Sequence, residues 1–332
     1  MKSAVIGCGS FGTAMANVLA AKGFPTSVWA RDPTLAKTIN EKHENTTYLP
    51  GTPLAPALRV STDLQQVLEG AELVVMATPA QATRAMLGEM APYLPKPLPM
   101  VSLSKGIERG TLLTMTEVME SVLPAVYHPY FAVLSGPSFA KEVARGMPTA
   151  VTVAGIWDRV VATVQRAFST DYLRCYSSTD LIGAQFGGAL KNVIAIAAGI
   201  ADGLGFGHNA RAALMTRGVA EISRAAMRRG ANPLTLSGLS GMGDLVLTCT
   251  GELSRNRTVG LELGRGRKLP EIIQSMKQVA EGVQTAESAK DLSKKLGVEM
   301  PICGQVYSVV HEDRSPREAV VTLMTRELRA EL

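Results

Sequence analysis

The sequence predicts an α/β domain with a largely parallel sheet, followed by a second domain built only of α-helices. In the first half of the chain, short apolar runs alternate with helical patterns, which is typical of strands joined by crossover helices. After about Ser178 the strand-like runs stop and the remaining segments read as helices. The length of 332 residues suits two domains, which we place at residues 1–178 and 179–332.

Hydrophobic spacing divides both domains into elements. Apolar runs predict strands at Ala4–Ile6, Ser27–Trp29, Leu73–Ala77, Met100–Leu103, Phe131–Leu134, Thr149–Val153 and Leu173–Tyr176. Amphipathic spacing predicts helices between them, such as Thr13–Lys22, Asp63–Glu69 and Asp158–Phe168. In the second domain we predict helices at Asp180–Ala201, Ala210–Arg229, Ser240–Thr248, Thr258–Leu263, Thr285–Leu296, Ile302–His311 and Pro316–Leu328.

The composition excludes several classes of protein. Hydrophobic residues make up 46% of the chain and charged residues 19%, so a sizeable core is available and wholesale disorder is excluded. A net charge of +5 without a long Lys/Arg run favours anionic small ligands over nucleic acid. The four cysteines form no CxxC pair and the four histidines are scattered, so we expect no disulfide framework and no metal site. This cysteine usage fits a reducing compartment, and we expect a cytoplasmic protein.

The most apolar stretch of the chain is predicted to be a core helix and not a membrane span. It covers residues 182–201, but Gln185, Lys191 and Asn192 interrupt it, and a lipid-facing helix would not carry Lys-Asn at its centre. The first strand begins near Ser3, which leaves no room for a signal peptide before the fold.

Residues 7–12 read GCGSFG, a GxGxxG pattern between the first predicted strand and the first predicted helix. In that context glycines permit a tight turn and the close approach of a pyrophosphate, which backbone N–H groups and the helix dipole then hold. The alternative is a plain strand–helix turn without a ligand. We therefore predict a dinucleotide site that includes Gly7, Gly9 and Gly12.

The end of the second predicted strand bears on which dinucleotide is bound. An acidic residue about twenty positions after the glycines usually accepts the ribose hydroxyls of NAD. Here Arg31 stands where that acid is expected, and an Arg suits the 2′-phosphate of NADP. Asp32 follows and is compatible with NAD, while an exposed loop charge is the alternative for Arg31. The sequence leaves NAD or NADP open.

Further candidates follow other strands, because ligands of open α/β sheets bind beyond the carboxyl ends of the strands. Thr78-Pro79 follows one strand and Lys105 another, and Gly136-Pro137-Ser138 follows a third. In the alternative interpretation these are ordinary loops, with Ser138 as the N-cap of the next helix.

Two charged residues stand among apolar residues in the second domain. Lys191 lies in a helix that is apolar nearly all round, and a lysine is almost never fully buried unless it is paired. Asp244 lies among apolar residues in the same way, so mutual proximity of the two charges is a natural inference. The alternatives are a structural ion pair or a snorkelling side chain for Lys191, and a helix N-cap for Asp244.

A serine, an arginine and an amide open a later helical stretch at residues 254–256. Such groups at a helix start make a strong anion site, although a capped surface helix is the alternative for Ser254, Arg255 and Asn256. Cys249 lies in an apolar run and is interpreted as a small buried hydrophobe, not a nucleophile.

Taken together, these residues resemble the soluble bacterial NAD(P)-dependent glycerol-3-phosphate dehydrogenases over essentially the whole chain. The specific stretches are residues 7–12, 134–143 (LSGPSFAKEV), 190–207 (LKNVIAIAAGIADGLGFG) and 238–260 (GLSGMGDLVLTCTGELSRNRTVG). The resemblance implies a Rossmann-type first domain and a helical second domain like that of 6-phosphogluconate dehydrogenase. It also implies reduction of dihydroxyacetone phosphate to sn-glycerol 3-phosphate for phospholipid synthesis.

The resemblance assigns roles residue by residue. It makes Lys191 the proton donor and acceptor, with Lys105 and Asp244 beside it in the catalytic group. It implies substrate contacts by Lys105, Gly136, Ser138, Lys191, Asp244, Ser254, Arg255 and Asn256. It implies cofactor contacts by Ser10, Phe11, Arg31, Lys105, Ala140, Arg255, Val279 and Glu281.

Two other functions and the oligomeric state stay open at this point. One alternative is a related hydroxy-acid or 6-phosphogluconate-type dehydrogenase, and the other is a non-catalytic NAD(P)-sensing protein. The expected partner is a small phosphate substrate, and a homodimer is an open alternative to a monomer.

Overall fold

The first part of the chain forms one eight-stranded sheet. The computed structural model describes residues 1–94, 96–276, 280–328 and 330. Within these ranges the sheet has the order β3-β2-β1-β4-β5-β6-β7-β8. The strands are β1 (Ser3–Ile6), β2 (Thr26–Trp29), β3 (Leu58–Ser61), β4 (Leu73–Met76), β5 (Met100–Ser102), β6 (Phe131–Ser135), β7 (Thr149–Gly155) and β8 (Leu173–Ser178).

The strands pair in parallel except for β6 and β7, which are antiparallel. Strands β1 and β4 are buried along their whole length, as expected of parallel strands with both faces covered. In register, Ile6 lies between Trp29 of β2 and Met76 of β4. The strand order reverses between β1 and β4, and an open sheet of this kind binds ligands beyond the carboxyl ends of the strands at that place.

Seven α-helices join the strands in the described part of this domain. Side-chain caps begin several of them: the Asp32 carboxylate accepts from the Thr34 N–H, and Asp63 accepts from the Gln65 N–H. The helices are α1 (Ser10–Ala21), α2 (Pro33–Lys42), α3 (Leu64–Leu68), α4 (Thr83–Met90), α5 (Met115–Val122), α6 (Ala140–Ala144) and α7 (Asp158–Phe168).

The second part of the chain is helical and packs around one long helix, α8. The helices are α8 (Leu181–Gly203), α9 (His208–Met227), α10 (Pro233–Ser237), α11 (Asp244–Thr250), α12 (Arg255–Gly264), α13 (Leu269–Ser275), α14 (Glu281–Leu296), α15 (Pro301–His311) and α16 (Pro316–Met324). A Cβ on Gly199 of α8 or on Gly260 of α12 would overlap a backbone carbonyl of the facing helix. The two glycines therefore allow the backbones of α8 and α12 to touch. This packing places Asn256 of α12 close to the part of α8 that carries Lys191.

Helix α8 is long and apolar enough to cross a membrane, but 94% of its apolar window is buried within the protein. Its neighbours α9, α11, α12 and α14 cover it, and its side chains dominate the largest hydrophobic core. Its apolarity is therefore that of a core helix, as the polar interruptions predicted.

The predicted fold class is confirmed: a parallel-dominant sheet with helices comes first, and a helical domain follows. Strand β3 was missed, because it contributes only two buried apolar side chains, Leu58 and Val60, between polar neighbours. The helix predicted at Ser240–Thr248 is instead a π-helical turn, Leu239–Gly243, followed by α11. The helix predicted to reach Leu328 ends at Met324.

Candidate active site

The glycine turn at residues 7–12 connects β1 to α1 at the carboxyl edge of the sheet. Gly7 has φ of +123°, and a Cβ there would lie 2.6 Å from the Ala77 carbonyl oxygen. A Cβ on Gly12 would overlap the Gly7 carbonyl oxygen. A Cβ on Gly9 would meet nothing within 4 Å, so this glycine borders open space. The first and third glycines close the turn, and the middle one leaves room for a ligand.

Helix α1 begins at Ser10 and Phe11, directly behind this open space. Its N-cap is Gly9, which has no side chain to accept hydrogen bonds, and its first turn carries no acidic residue. The positive end of the helix dipole is therefore not neutralised from within the helix. These features fit the pyrophosphate of a dinucleotide, as the sequence predicted.

Arg31 and Asp32 follow β2 at the same edge of the sheet. The Arg31 side chain is exposed. The Asp32 carboxylate accepts the Thr34 N–H at 2.8 Å and caps α2. One carboxylate oxygen of Asp32 is thus already hydrogen-bonded to the backbone at the start of α2.

Lys191, Asp244 and Lys105 form one ion cluster between the two domains. The Lys191 ammonium contacts Oδ1 of Asp244, and the Lys105 ammonium donates to Oδ2 at 2.7 Å. Lys105 also donates to the Gly136 carbonyl at 3.0 Å. The Asp244 side chain is 1% exposed and that of Lys191 is 7% exposed. Two ammonium groups share one carboxylate, so the cluster carries excess positive charge.

Burial sets the proton affinity of Lys191. Desolvation lowers the pKa of Lys191 to about 8, and the positive charge of Lys105 acts in the same direction. The carboxylate of Asp244 opposes both effects and raises the pKa. An ammonium in this state can release and regain its proton near neutral pH, which suits a general acid or base.

Thr248 and Asn192 belong to this cluster, although the sequence analysis did not select them. The Thr248 hydroxyl accepts from the Lys191 ammonium at 2.8 Å and donates to the Asp244 carbonyl at 2.6 Å. The Asn192 amide donates to the Lys105 carbonyl at 3.2 Å. Thr248 stands one helical turn after Asp244, on the same face of the helix. Only its contact with Lys191, 57 positions away along the chain, identifies it as part of the site.

The residues predicted to bind phosphate lie at the start of α12. Ser254 is its N-cap and accepts the Arg257 N–H at 3.2 Å. Arg255 is exposed, whereas Asn256 is buried and donates to Oδ1 of Asn192 at 2.9 Å. Burial lowers the pKa of the Arg255 guanidinium and the carboxylate of Glu281 raises it, so the charged group is less accessible than the residue as a whole. Asn256 connects the start of α12 to α8, the helix that carries Lys191.

Ser138 lies near the cluster but does not cap a helix. Its hydroxyl donates to the Gly136 carbonyl at 3.0 Å, the same oxygen that Lys105 contacts. Helix α6 begins at Ala140 with Phe139 as its N-cap. The alternative interpretation of Ser138 as a capping serine was therefore wrong, because the chain becomes helical two residues later.

Four further residues were predicted to contact the cofactor. Phe11 places its ring 5.9 Å from the Lys105 ammonium, so the glycine turn and the ion cluster adjoin. Glu281 begins α14 and accepts the Ala80 N–H at 3.0 Å, next to the end of β4. Ala140 stands at the start of α6, and Val279 lies outside the described residues.

Neither a metal cluster nor a reactive thiol accompanies these groups in the described ranges. No set of three or more His, Cys, Asp or Glu side chains there is arranged to hold a metal ion. Cys249 is fully buried, and burial raises the pKa of its thiol to about 12. It is therefore a protonated core residue, as expected.

Comparisons with known proteins agree with this architecture. The family model described as the NAD-dependent glycerol-3-phosphate dehydrogenase N-terminus matches residues 2–159, and the corresponding C-terminus model matches residues 180–321. A Myxococcus xanthus protein named glycerol-3-phosphate dehydrogenase (NAD(P)+) is 62% identical over 332 residues, covering 100% of this chain and 99% of that protein. A protein of the same name from Anaeromyxobacter dehalogenans is 55% identical, with 100% of both chains covered.

A solved structure is also similar. The crystal structure of glycerol-3-phosphate dehydrogenase from Coxiella burnetii superposes with a TM-score of 0.93 at 37% identity. The alignment covers 98% of this chain and 99% of the other. The likeness therefore extends through both the sheet domain and the helical domain.

Proposed function

This chain belongs to the NAD-dependent glycerol-3-phosphate dehydrogenase family, and we propose that it reduces dihydroxyacetone phosphate to sn-glycerol 3-phosphate with NADPH or NADH. The observation that carries the proposal is the buried Lys191–Asp244–Lys105 cluster beside the glycine turn. Buried charges are costly unless a function or a full set of partners maintains them. A cluster with excess positive charge suits a reaction in which negative charge develops on an oxygen.

Lys191 is the proton donor in this proposal. When bound, the nicotinamide supplies the hydride that reaches C2 of the substrate, and negative charge develops on the C2 oxygen. An ammonium has three N–H donors, and Lys191 uses one on Asp244 and one on Thr248. In this proposal the third donates to the C2 oxygen, where Lys191 stabilises the charge and delivers the proton. In the reverse reaction the neutral amine takes the proton of the alcohol.

Lys105 and Asp244 support that step in different ways. Asp244 orients Lys191 and keeps it protonated by its negative charge. Lys105 adds a second positive charge, and its contact with Asp244 connects the loop after β5 to α11. Through these two ion pairs, one carboxylate positions groups from both domains around a single substrate atom.

The start of α12 is the proposed phosphate site. Arg255 is exposed there and can form two parallel hydrogen bonds with phosphate oxygens, with the helix N-terminus behind it. Ser254 and Asn256 flank it, and Gly136 and Ser138 adjoin the cluster on the other side. Binding energy from the phosphate then holds C2 next to Lys191.

The glycine turn is the proposed pyrophosphate site, with Gly7, Gly9 and Gly12 in the turn and Ser10 and Phe11 at its edge. Arg31 is the proposed ligand of the 2′-phosphate of NADP, and Asp32 leaves NAD use open. Ala140, Val279 and Glu281 are proposed as cofactor contacts from the family resemblance. We further propose residues 1–178 as the cofactor domain and residues 179–332 as the substrate domain.

We also infer a cytoplasmic enzyme that supplies glycerol 3-phosphate for phospholipid synthesis, with a homodimer as a candidate assembly. The four free cysteines support the cytoplasmic location, because disulfides are rare in that compartment. Size-exclusion chromatography with light scattering measures the assembly directly, and a monomer mass would exclude the homodimer.

The decisive experiment follows nicotinamide absorbance with the purified protein. Adding dihydroxyacetone phosphate to protein with NADPH or NADH should oxidise the nicotinamide. 6-Phosphogluconate, and 2-hydroxy acids assayed with the oxidised cofactor, should give no turnover. Turnover of a carboxylate substrate without turnover of dihydroxyacetone phosphate would identify a related dehydrogenase instead. Cofactor binding without any turnover would identify a sensing protein.

A further inference from the structure

Asn45 is a buried amide behind the glycine turn, and the steps proposed above do not use it. It lies in the loop between α2 and β3 and is fully buried. Its Nδ2 donates to the Cys8 carbonyl at 3.0 Å and to the Thr13 hydroxyl at 2.9 Å. Its Oδ1 accepts the Tyr48 N–H at 2.9 Å. These contacts, and a longer one from Nδ2 to the Cys8 sulfur at 3.8 Å, are all made to atoms of the protein.

These partners fix the orientation of the Asn45 amide. The Tyr48 N–H can only donate, so its partner must be the oxygen of the Asn45 amide. The Cys8 carbonyl can only accept, so its partner must be the nitrogen of that amide. Rotating the amide by half a turn would bring acceptor against acceptor and donor against donor. Asn45 therefore holds the Cys8 carbonyl towards the protein interior.

The direction of that carbonyl determines the direction of the next N–H. In a planar trans peptide the C=O and the following N–H point to opposite sides. The described part of the chain contains no cis peptide bond. Since the Cys8 carbonyl points inward to Asn45 and Thr13, the Gly9 N–H points outward. That is the side of the turn on which a pyrophosphate would approach the backbone.

We propose that Asn45 is a positioning residue for the cofactor: it locks the Cys8–Gly9 peptide so that the Gly9 N–H donates to the pyrophosphate. Without Asn45 the Cys8 carbonyl keeps only the longer hydrogen bond from the Thr13 hydroxyl, at 3.4 Å. The peptide can then rotate more easily and present its carbonyl oxygen, which repels phosphate oxygens. This inference rests on the proposed function, because it requires that the chain binds NADPH or NADH. It adds a residue outside the GxGxxG pattern, more than thirty positions along the chain from it.

The test uses a matched pair of asparagines. Asn17 on α1 supports the same loop, since it donates to the Pro53 carbonyl at 3.5 Å and accepts the Ala55 N–H at 2.7 Å. None of its described contacts reaches the glycine turn. The experiment measures the KM of NADPH, the KM of dihydroxyacetone phosphate at saturating NADPH, kcat and the thermal unfolding midpoint for Asn45→Ala, Asn17→Ala and wild type.

Asn45→Ala should raise the KM of NADPH about tenfold or more, the effect of losing one hydrogen bond to a charged group. Its kcat and its KM for dihydroxyacetone phosphate, measured at saturating NADPH, should stay at the wild-type values. Asn17→Ala should lower the unfolding midpoint but leave the KM of NADPH unchanged. A wild-type KM of NADPH in Asn45→Ala, or an equal rise in Asn17→Ala, would overturn the inference.

Two further measurements keep the inference testable if Asn45→Ala does not fold. Asn45→Asp preserves size and the Tyr48 contact but sets an acceptor against the Cys8 carbonyl, so its KM for NADPH should rise at least as much. A crystal structure of the wild type with NADPH should show the Gly9 N–H on a pyrophosphate oxygen and the Cys8 carbonyl on Asn45. A Gly9 N–H that faces elsewhere contradicts the inference alone, whereas a wild type that binds neither dinucleotide overturns the proposed function as well.

Discussion

The glycine turn and the Lys191–Asp244–Lys105 cluster lie side by side but are built by opposite means. The turn depends on missing side chains: Gly7 and Gly12 fit only because they have no Cβ, and Gly9 borders open space. The cluster depends on charged side chains whose burial costs desolvation free energy, and its two ammonium groups share one carboxylate. An added side chain would therefore disrupt the turn by steric overlap, whereas removal of a charged side chain would disrupt the cluster.

Cofactor binding and catalysis should therefore be separable by substitution. The turn belongs to the sheet domain and contributes backbone N–H groups, which most substitutions leave in place. The cluster draws Lys105 from the sheet domain and Lys191 and Asp244 from the helical domain. Substitutions in the turn should act on cofactor binding, and substitutions in the cluster should act on turnover.

Lys191→Ala should have the largest effect. Loss of the proton donor should lower kcat by about a hundredfold to ten-thousandfold, because general acid–base catalysis typically contributes that much. The dissociation constant of NADPH should not change, since the glycine turn is untouched. Steady-state kinetics and a fluorescence titration measure the two effects, with Lys37→Ala on the exposed face of α2 as control. Near wild-type turnover would remove Lys191 from the mechanism.

Arg255→Ala should weaken phosphate recognition. Losing a charge-assisted hydrogen bond costs about 1.5–3 kcal/mol, which is roughly tenfold to over a hundredfold in affinity. The kcat/KM for dihydroxyacetone phosphate should fall by that factor, and the value for unphosphorylated dihydroxyacetone should fall little. The comparison is made at saturating NADPH, because Arg255 is also a proposed cofactor contact. Equal losses for both substrates would show that Arg255 does not bind the phosphate.

Arg31→Ala should change the choice of cofactor. An exposed guanidinium that binds the 2′-phosphate contributes about 1.5 kcal/mol to the binding free energy of NADPH. Without it, the preference for NADPH over NADH should fall about tenfold. Turnover with NADH should be retained, because NADH lacks that phosphate. The measurement is the ratio of kcat/KM for the two cofactors in wild type and variant. An unchanged ratio would mean that the 2′-phosphate, if bound, is held elsewhere.

Two glycine substitutions should divide the turn itself into structural and binding positions. Gly12→Ala forces a Cβ onto the Gly7 carbonyl and should lower the free energy of unfolding by about 1–3 kcal/mol. Gly9→Ala meets no protein atom within 4 Å, so its unfolding midpoint should match the wild type while its KM for NADPH rises. Thermal unfolding and cofactor titration separate the two. A Gly9→Ala protein with normal cofactor affinity would show that the ligand does not approach there.

Local patterns predicted much of the fold and of the site. Gly7–Gly12 could be recognised because a strand, a glycine turn and a helix follow one another within about twenty residues. Lys191 could be recognised because a charge inside an apolar helix is unusual wherever its partner lies. The proximity of Lys191 and Asp244 was inferred for the same reason, since each needs an opposite charge.

Contacts between distant segments could not be predicted in this way. The family resemblance placed Lys105 and Asp244 in one catalytic group, but no local pattern reveals that Lys105 meets Asp244, 139 positions along the chain. Only the docking of the two domains brings them together. Thr248 was missed because a threonine in an apolar helix is unremarkable until its lysine partner is known. Asn45 was missed because a loop amide acquires its role only from the carbonyl it holds. Packing, and not spacing, determines these contacts.

If Lys191, held by Asp244, donates the proton, kcat must change with pH as the Lys191 ammonium loses its charge. Burial lowers the pKa of Lys191 to about 8 while Asp244 raises it, so ketone reduction should fall and alcohol oxidation should rise as pH passes about 8. In Asp244→Asn the opposing negative charge is lost, and both transitions should move to lower pH. Transitions at the same pH in wild type and Asp244→Asn, or a kcat that does not change with pH, would contradict the account.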